Sequence, residues 1–415
     1  MLINFEAKNI FSFNADPGIY FSMRPGKYRD HQEFVAQGKG NADVKVLRLG
    51  LLYGLNSSGK SNLLKSLEIF HDMVIRNNSA SLTRFRFEDN PNTSLSLTIL
   101  TGAGILKYSI CFNDEKILYE ELLQGKTLQY FKKVYERKEN SFVPTISTEH
   151  STTFKNFLLT TEGRIRPNQL VINKLHDDNL AQFKEELAAQ PYCALWDWFK
   201  NMLFVYPYSY FQNRNFIGQD MSLFVKQFLH KMGMEVDVEV KKTHLEDNAE
   251  KEKYKDLAKN QSQPLIFDAN MRYIFRDEKG ELYRCEIVFK RRGKEFLLGE
   301  ESRGVKYLLE ILPLLYWCKD IQKQGIYRAC FIDELDRRLH PMVTQLFVEE
   351  FVSHFQETPY MQIIATTHDP LLIDSVRADC VQVAHKKDDA TSYGPYQPRS
   401  DATKYKKVDL LLNTK

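Results

Sequence analysis

The chain has 415 residues, 43% hydrophobic and 27% charged, which is the balance of a globular chain with one large domain or two ordinary ones. A formal net charge of +3 excludes a strongly polybasic or polyacidic character for the whole chain and leaves room for a local basic patch. Six scattered cysteines (Cys111, Cys193, Cys285, Cys318, Cys330, Cys380) have no C-x-x-C spacing, so a disulfide framework and a zinc site are not expected and reduced thiols in a cytoplasmic protein are.

Met1 to Phe13 alternates apolar and polar residues like a strand, not like a signal peptide. Gly26 to Asp43 reads as a hydrophilic loop or hairpin tip. Val46 to Tyr53 reads as a mostly buried strand that runs into Gly54-Leu55-Asn56-Ser57-Ser58-Gly59-Lys60-Ser61, a match to G-x-x-x-x-G-K-[ST]. Asn62 onward carries Leu63, Leu64 and Leu67 at helical spacing, with an expected helix end near Ala80. Strand, glycine loop and helix is the order a phosphate site needs, because the anion sits on the helix N-terminus. In such a loop Lys60 reaches the β- and γ-phosphates and the Ser61 hydroxyl ligates Mg²⁺. The nucleotide-contacting set is therefore Gly54, Asn56, Ser57, Ser58, Gly59, Lys60, Ser61 and Asn62, and the expected ligands are ATP and Mg²⁺.

From Ser81 to about Leu123 strand signals dominate, at Arg84–Phe87, Ser94–Leu100 and Leu106–Phe112. Tyr130 to Leu229 reads as mainly helical. Lys241 to Asn260 is charged almost throughout and fits an exposed helix or a solvated loop equally. Strands return at Met271–Phe275 and Leu282–Phe289, followed by the basic turn Lys290–Lys294. Tyr307 to Cys318 is the most apolar stretch, but it is too short to span a bilayer and contains Glu310 and Pro313, so it reads as a buried helix. The expected class is α/β, a mixed-sheet P-loop lobe with flanking helices, interrupted by a long, mainly helical insertion. Residues 1–123 form its N-terminal half, 124–270 the insertion and 271–415 its C-terminal half.

Glu301-Ser302-Arg303-Gly304 opens that helix and places a Ser-x-Gly at a second anion-binding helix end, although Ser302 fits a plain N-cap as well. The run Ala329–Ile332 then ends in Asp333-Glu334, an aspartate for the same metal and a glutamate to polarise the attacking water. Leu335–Pro341 follows, and the apolar strand Gln362–Thr367 leads into His368. At the carboxyl edge of a parallel sheet, where ligands of open α/β folds bind, that histidine would meet the γ-phosphate.

This ordered set resembles the ABC-class ATPases related to SMC proteins, RecF and the OLD group. More narrowly it resembles the stand-alone AAA-type ATPases of prokaryotic anti-phage operons, the RloA, AbiLi and PARIS ATPase kind. Leu2–Phe13, Arg166–Gln169 and Val376–Asp379 resemble that group's opening strand, mid-chain element and tail motif. The resemblance implies Asp333 on the metal through water, Glu334 as general base and Ser302 with Gly304 as the signature acting on nucleotide held by a second subunit. It also implies Asp336 in a dimer-contacting loop and His368 as the switch histidine. The glutamine that touches Mg²⁺ in relatives stays open among Gln124, Gln169 and Gln212.

The implied protein is a homodimer or higher homo-oligomer with a separately encoded nuclease or toxin effector and a phage-derived trigger, away from membranes. Only residues 369–415 follow His368, and they carry no acidic D-x-D cluster of a nuclease domain. The alternative is a RecF/SMC-like repair ATPase, with Arg291, Arg292, Lys294, Arg337 and Arg338 contacting nucleic-acid phosphates.

Overall fold

In the computed structural model of the chain, the described residues are 1–27, 31–38, 44–77, 84–146, 151–206, 219–246, 252, 265–266, 272–276, 281–324, 327–353 and 361–396. Gln212 and most of the charged stretch after Asp247 lie outside them. Two compact units emerge. One comprises Met1–Tyr206, Ile321–Leu335 and the chain from Val352 onward; the other comprises Pro207–Asp320 and Asp336–Phe351. The architecture is α/β, with mixed sheets and flanking helices.

The first unit holds a parallel sheet in the order Leu203–Val205, Arg328–Ile332, Met361–Thr367, Leu49–Tyr53, Val381–Lys387, closed by the antiparallel strand Ala390–Pro395. All seven residues of Met361–Thr367 are buried, as a central strand covered on both faces requires. The expected strand Val46–Tyr53 is split at Arg48 into Lys45–Leu47, paired with Val35–Gln37, and Leu49–Tyr53 in the parallel sheet. A seven-stranded antiparallel sheet belongs to the same unit, in the order Ser141–Pro144, Phe131–Lys138, Ile117–Gly125, Gly104–Phe112, Thr93–Thr101, Leu2–Lys8, Ile19–Ser22. Buried Gln362 joins the two sheets: its Oε1 accepts from Leu2 N at 2.7 Å, and its Nε2 donates to Leu2 O at 2.9 Å and Leu47 O at 2.8 Å.

The helix after the phosphate loop spans Lys60–Arg76 and ends at Asn77, whose left-handed backbone (φ 49°) donates to Asp72 O. Its Phe70 stacks on Tyr108 of the antiparallel sheet at 5.5 Å and meets Phe199 of the helix Gln190–Lys200 at 5.2 Å. Asn173, on the helix Val171–Asp177, donates its side-chain amide to Met73 O at 3.1 Å, near the end of the phosphate-loop helix.

Two expectations change. Arg84–Phe87 is an irregular turn without a ladder partner among the described residues; Phe85 is buried while Phe87 is 70% exposed. Tyr130 to Leu229 is not helical throughout, because Phe131–Lys138 and Ser141–Pro144 form a hairpin that extends the antiparallel sheet past residue 123. Arg137 concealed that strand: an arginine stands at an inward position of the alternation. It is only 1% exposed and satisfied by carbonyls, donating to Glu139 O at 2.6 Å, Arg166 O at 3.1 Å and Pro167 O at 3.2 Å, and to Gln169 O. The Arg166–Gln169 segment is thus a structural partner of the hairpin. Helices Thr152–Glu162, Val171–Asp177 and Gln190–Lys200 follow in the same unit.

The second unit contains the helix Gln219–Lys231 and a sheet in the order Asp237–His244, Leu282–Arg291, Tyr273–Arg276, Leu265–Ile266, with Lys294–Leu297 folded back on Leu282–Arg291. Segment 124–270 therefore contributes strands as well as helices, and to both units. Arg303–Gln324 is helical through the apolar stretch, and Pro341–Ser353 forms the next helix. Among the described residues no helix is long and apolar enough to cross a membrane.

Candidate functional site

Parallel strands bring their carboxyl ends to one edge, and three sequence motifs meet there within the first unit. Tyr53 leads into the phosphate loop, Ile332 into Asp333 and Thr367 into His368, from adjacent or next-adjacent strands in register. The Ser61 hydroxyl donates to Asp333 Oδ1 at 2.8 Å, across 272 residues of sequence. Thr366 Oγ1 donates to the same oxygen at 2.7 Å and accepts from the Glu334 N–H at 2.7 Å. Asp333 N is bonded to Val205 O at 2.8 Å and Leu335 N to Thr366 O at 2.9 Å, so the acidic pair is fixed by both neighbouring strands. Glu334 itself has φ 54°, a left-handed conformation that costs a non-glycine residue on the order of 1–3 kcal/mol and tends to occur at functional positions. His368 is half-buried directly after its strand.

Gly59 has φ 94° and caps the N-terminus of the Lys60–Arg76 helix, whose first turn leaves N–H groups without intrahelical partners. Lys60 is buried and its Nζ donates to Gly54 O at 2.8 Å and Leu55 O at 2.9 Å, so the loop is folded around its own lysine. Ser58 Oγ is buried with no partner among the described residues, a free acceptor and donor within the loop. The donor set fits a magnesium nucleotide: one hydroxyl, one carboxylate and a loop for phosphates, all hard oxygen or N–H chemistry. Mg²⁺ generally takes one or two carboxylates plus substrate phosphates.

A belt of residues outside the motifs holds the loop. Asn62 Nδ2 donates to Ser12 Oγ at 2.8 Å, and Ser12 Oγ and Thr391 Oγ1 lie 2.8 Å apart. Thr391 Oγ1 also bonds Ser58 O at 3.0 Å, and Tyr393 OH donates to Gly59 O at 2.8 Å. A Cβ on Gly59 would stand 2.1 Å from Thr391 Oγ1, which together with its φ excludes any other residue there. Thr366 lay inside a quoted motif without a role; Ser12, Thr391 and Tyr393 carried no signal, since their partners are distant in sequence. Tyr206 was also missed. It follows the strand beside Asp333; burial first, then the negative charges of Glu68 on the phosphate-loop helix and of Asp333, push its phenol pKa up.

Gln124 donates to Ala103 O at 2.7 Å and Gln169 to Asp177 Oδ2 at 3.1 Å, so each is engaged locally and neither is brought to the phosphate loop. In the tail motif, Arg377 pairs with Asp379 at 2.7 Å, and Asp379 accepts from Gly26 N at 2.7 Å.

The second unit contains Ser302, Gly304 and Asp336. Ser302 Oγ accepts from Val305 N at 3.2 Å, the N-cap expected at a helix start. A Cβ on Gly304 would stand 2.9 Å from Arg338 O, so the glycine lets the helix start lie against the loop after Asp336. Of the cations named for the nucleic-acid alternative, Arg291 is engaged by Glu301; Lys290 beside it pairs with Glu239 at 2.6 Å. In Glu310 burial pushes the carboxyl up to about 7, against the lowering pull of Arg338 and Arg337. The folded chain then holds a proton that the unfolded chain releases between about 4.5 and about 7. Its contribution is full below the lower value and is lost as pH rises through the upper one. Glu310→Gln is expected to raise the Tm by about 2 °C at pH 8 and leave it nearly unchanged at pH 5. Equal shifts at both pH values in thermal melts would refute this.

Among the solved structures to which the chain is similar are an SmcHead bound to the C-winged helix domain of ScpA (TM-score 0.46, 11% identity, 97% of this chain and 99% of that chain), the SMC head domain from Thermotoga maritima (0.40, 11%, 96% and 99%), and the recombination mediator protein RecF-ATPrS in the RecFOR pathway (0.39, 13%, 95% and 98%). No curated protein matches. The model of the family described as "AAA domain, putative AbiEii toxin, Type IV TA system" matches residues 51–374. That span starts in the strand feeding the phosphate loop and runs past the acidic pair and His368, and the chain belongs to this AAA-domain family.

Proposed function

We propose that the protein binds ATP with Mg²⁺, closes as a homodimer around it, hydrolyses it slowly and thereby acts as sensor or scaffold for a separately encoded effector in anti-phage defence. The observation that carries the ATPase part is the meeting of Ser61, Asp333 and Glu334 at one sheet edge, with Thr366 bonded to both acidic residues. Lys60 exchanges its loop carbonyls for the β- and γ-phosphates, and the helix N-terminus receives their charge. Ser61 and Asp333 would hold Mg²⁺, which when bound would supply charge neutralisation on the phosphate oxygens. Glu334 accepts the proton of the water that attacks the γ-phosphate, and His368 contacts the γ-phosphate from the next strand.

Dimer closure is supported by the placement of Ser302 and Gly304 in a unit separate from that of the phosphate loop. A signature that serves nucleotide on a second subunit makes turnover depend on association, since a ligand shifts a population only through differential affinity. The defence role is supported by the resemblance of the motif set to anti-phage ATPases and by a family description that names a toxin and a TA system. The helical middle and the charged stretch from Lys241 are the proposed place for the effector or trigger.

Ser302→Arg tests the closure step. It places a long cation where Ser302 caps the helix, and is expected to lower ATP-driven association and kcat about tenfold. ATP affinity in a single subunit should stay within about twofold, because Lys60 and the loop are untouched. Light scattering with and without ATP reads association. A Ser302→Arg variant that closes like the wild type removes the signature role.

A further inference from the structure

Arg291 and Glu301 belong to none of the nucleotide motifs, yet they form a two-bond fork beside one. Arg291 ends the strand Leu282–Arg291, and its guanidinium donates from Nη1 to Glu301 Oε1 at 2.6 Å and from Nη2 to Glu301 Oε2 at 2.8 Å. The Glu301 side chain is 5% exposed and the Arg291 side chain 31%. A buried carboxylate is tolerated only when paired and hydrogen-bonded, so Arg291 determines where Glu301 rests. The guanidinium is itself held over Phe289 and Phe296, 6.0 and 5.6 Å from the ring centres.

Glu301 is the residue before Ser302. The turn between hairpin and helix is stapled again by Lys306 Nζ donating to Gly299 O at 2.7 Å and by Glu300 accepting from Leu297 N at 2.7 Å. Beyond it, Ser302 caps the helix and Gly304 lies against Arg338 O. A continuous set of contacts therefore runs from the five-stranded sheet, through the fork, to the helix start and the loop after Asp336.

We infer that the Arg291–Glu301 fork is a positioning device: it sets how Ser302 and Gly304 are presented, and makes the five-stranded sheet the place from which their order is controlled. This rests on the closed-dimer ATPase proposed above. Arg291 and Glu301 touch no reacting group; they act through Ser302.

The test uses the full-length chain with Arg291→Lys and Arg291→Gln. Lysine keeps the charge but lacks the planar fork, and glutamine loses the charge as well. For both, kcat and ATP-driven association are expected to fall about tenfold or more, with KM, binding of a fluorescent ATP analogue and Tm little changed. A fork that only stabilises the fold predicts a lower Tm with unchanged kcat per folded molecule, and that result overturns the inference. So does wild-type kcat and association in folded Arg291→Lys, which decides alone if Arg291→Gln does not fold. A wild-type chain that neither turns over ATP nor associates on it overturns the ATPase proposal itself, and this inference with it.

Discussion

Glu334→Gln is expected to lower ATP turnover on the order of 10²- to 10⁴-fold, the range for removing a positioned general base, with ATP still bound. The substitution is nearly isosteric. It leaves the backbone N–H on Thr366 Oγ1 and the left-handed φ of 54° in place, so the geometry around Asp333 should persist. What is lost is the ability to take a proton from the attacking water. The closed dimer should then outlive its wild-type counterpart, since hydrolysis is the step that releases it. Single-turnover measurement of phosphate release, beside light scattering, separates the two effects. Wild-type phosphate release from Glu334→Gln would show that another group is the base.

Lys60→Ala is expected to weaken ATP binding about 10- to 100-fold, because bonds from a charged donor are worth about 1.5–3 kcal/mol. Turnover should fall with it. The geometry adds a second consequence that a motif alone does not contain. Lys60 Nζ bridges Gly54 O and Leu55 O, so alanine leaves those carbonyls without their donor and loosens the loop. A loss of stability without nucleotide on the order of 1–3 kcal/mol, seen as a lower Tm, should accompany the affinity loss. Calorimetric titration of ATP and thermal melts read these together. Unchanged affinity for ATP would remove Lys60 from the phosphate site.

The sequence by itself determined the phosphate loop, the acidic pair and the strand running into His368. Each is written in consecutive residues: a glycine where φ must be positive, a lysine and hydroxyl at the next helix start, an apolar run ending in acid. Backbone chemistry at a strand–loop–helix junction is local, so it is legible without knowing what packs around it. The order of the motifs along the chain was equally legible, as was the buried helix from Arg303. The mainly helical reading of Tyr130 onward missed the hairpin of Phe131–Lys138 with Ser141–Pro144 because Arg137 breaks the apolar alternation, and only the carbonyls of Arg166, Pro167 and Gln169 make an inward arginine affordable.

Only the tertiary structure decided which residues hold the site in shape. Ser12, Thr391 and Tyr393 reach the phosphate loop from near the two ends of the chain, and Thr366 and the Val205 carbonyl reach the acidic pair from strands on either side. Only folding pairs Arg291, one of the cations that the repair-ATPase alternative offered to nucleic acid, with Glu301. A hydroxyl or guanidinium has no partner written beside it in sequence; its role is set by whichever carbonyl or carboxylate folding brings within about 3 Å. The parallel register that sets Tyr53 beside Thr367 and Ile332 beside Ala365 is what brings Ser61 to Asp333, and that alignment is a property of the sheet and not of any one strand.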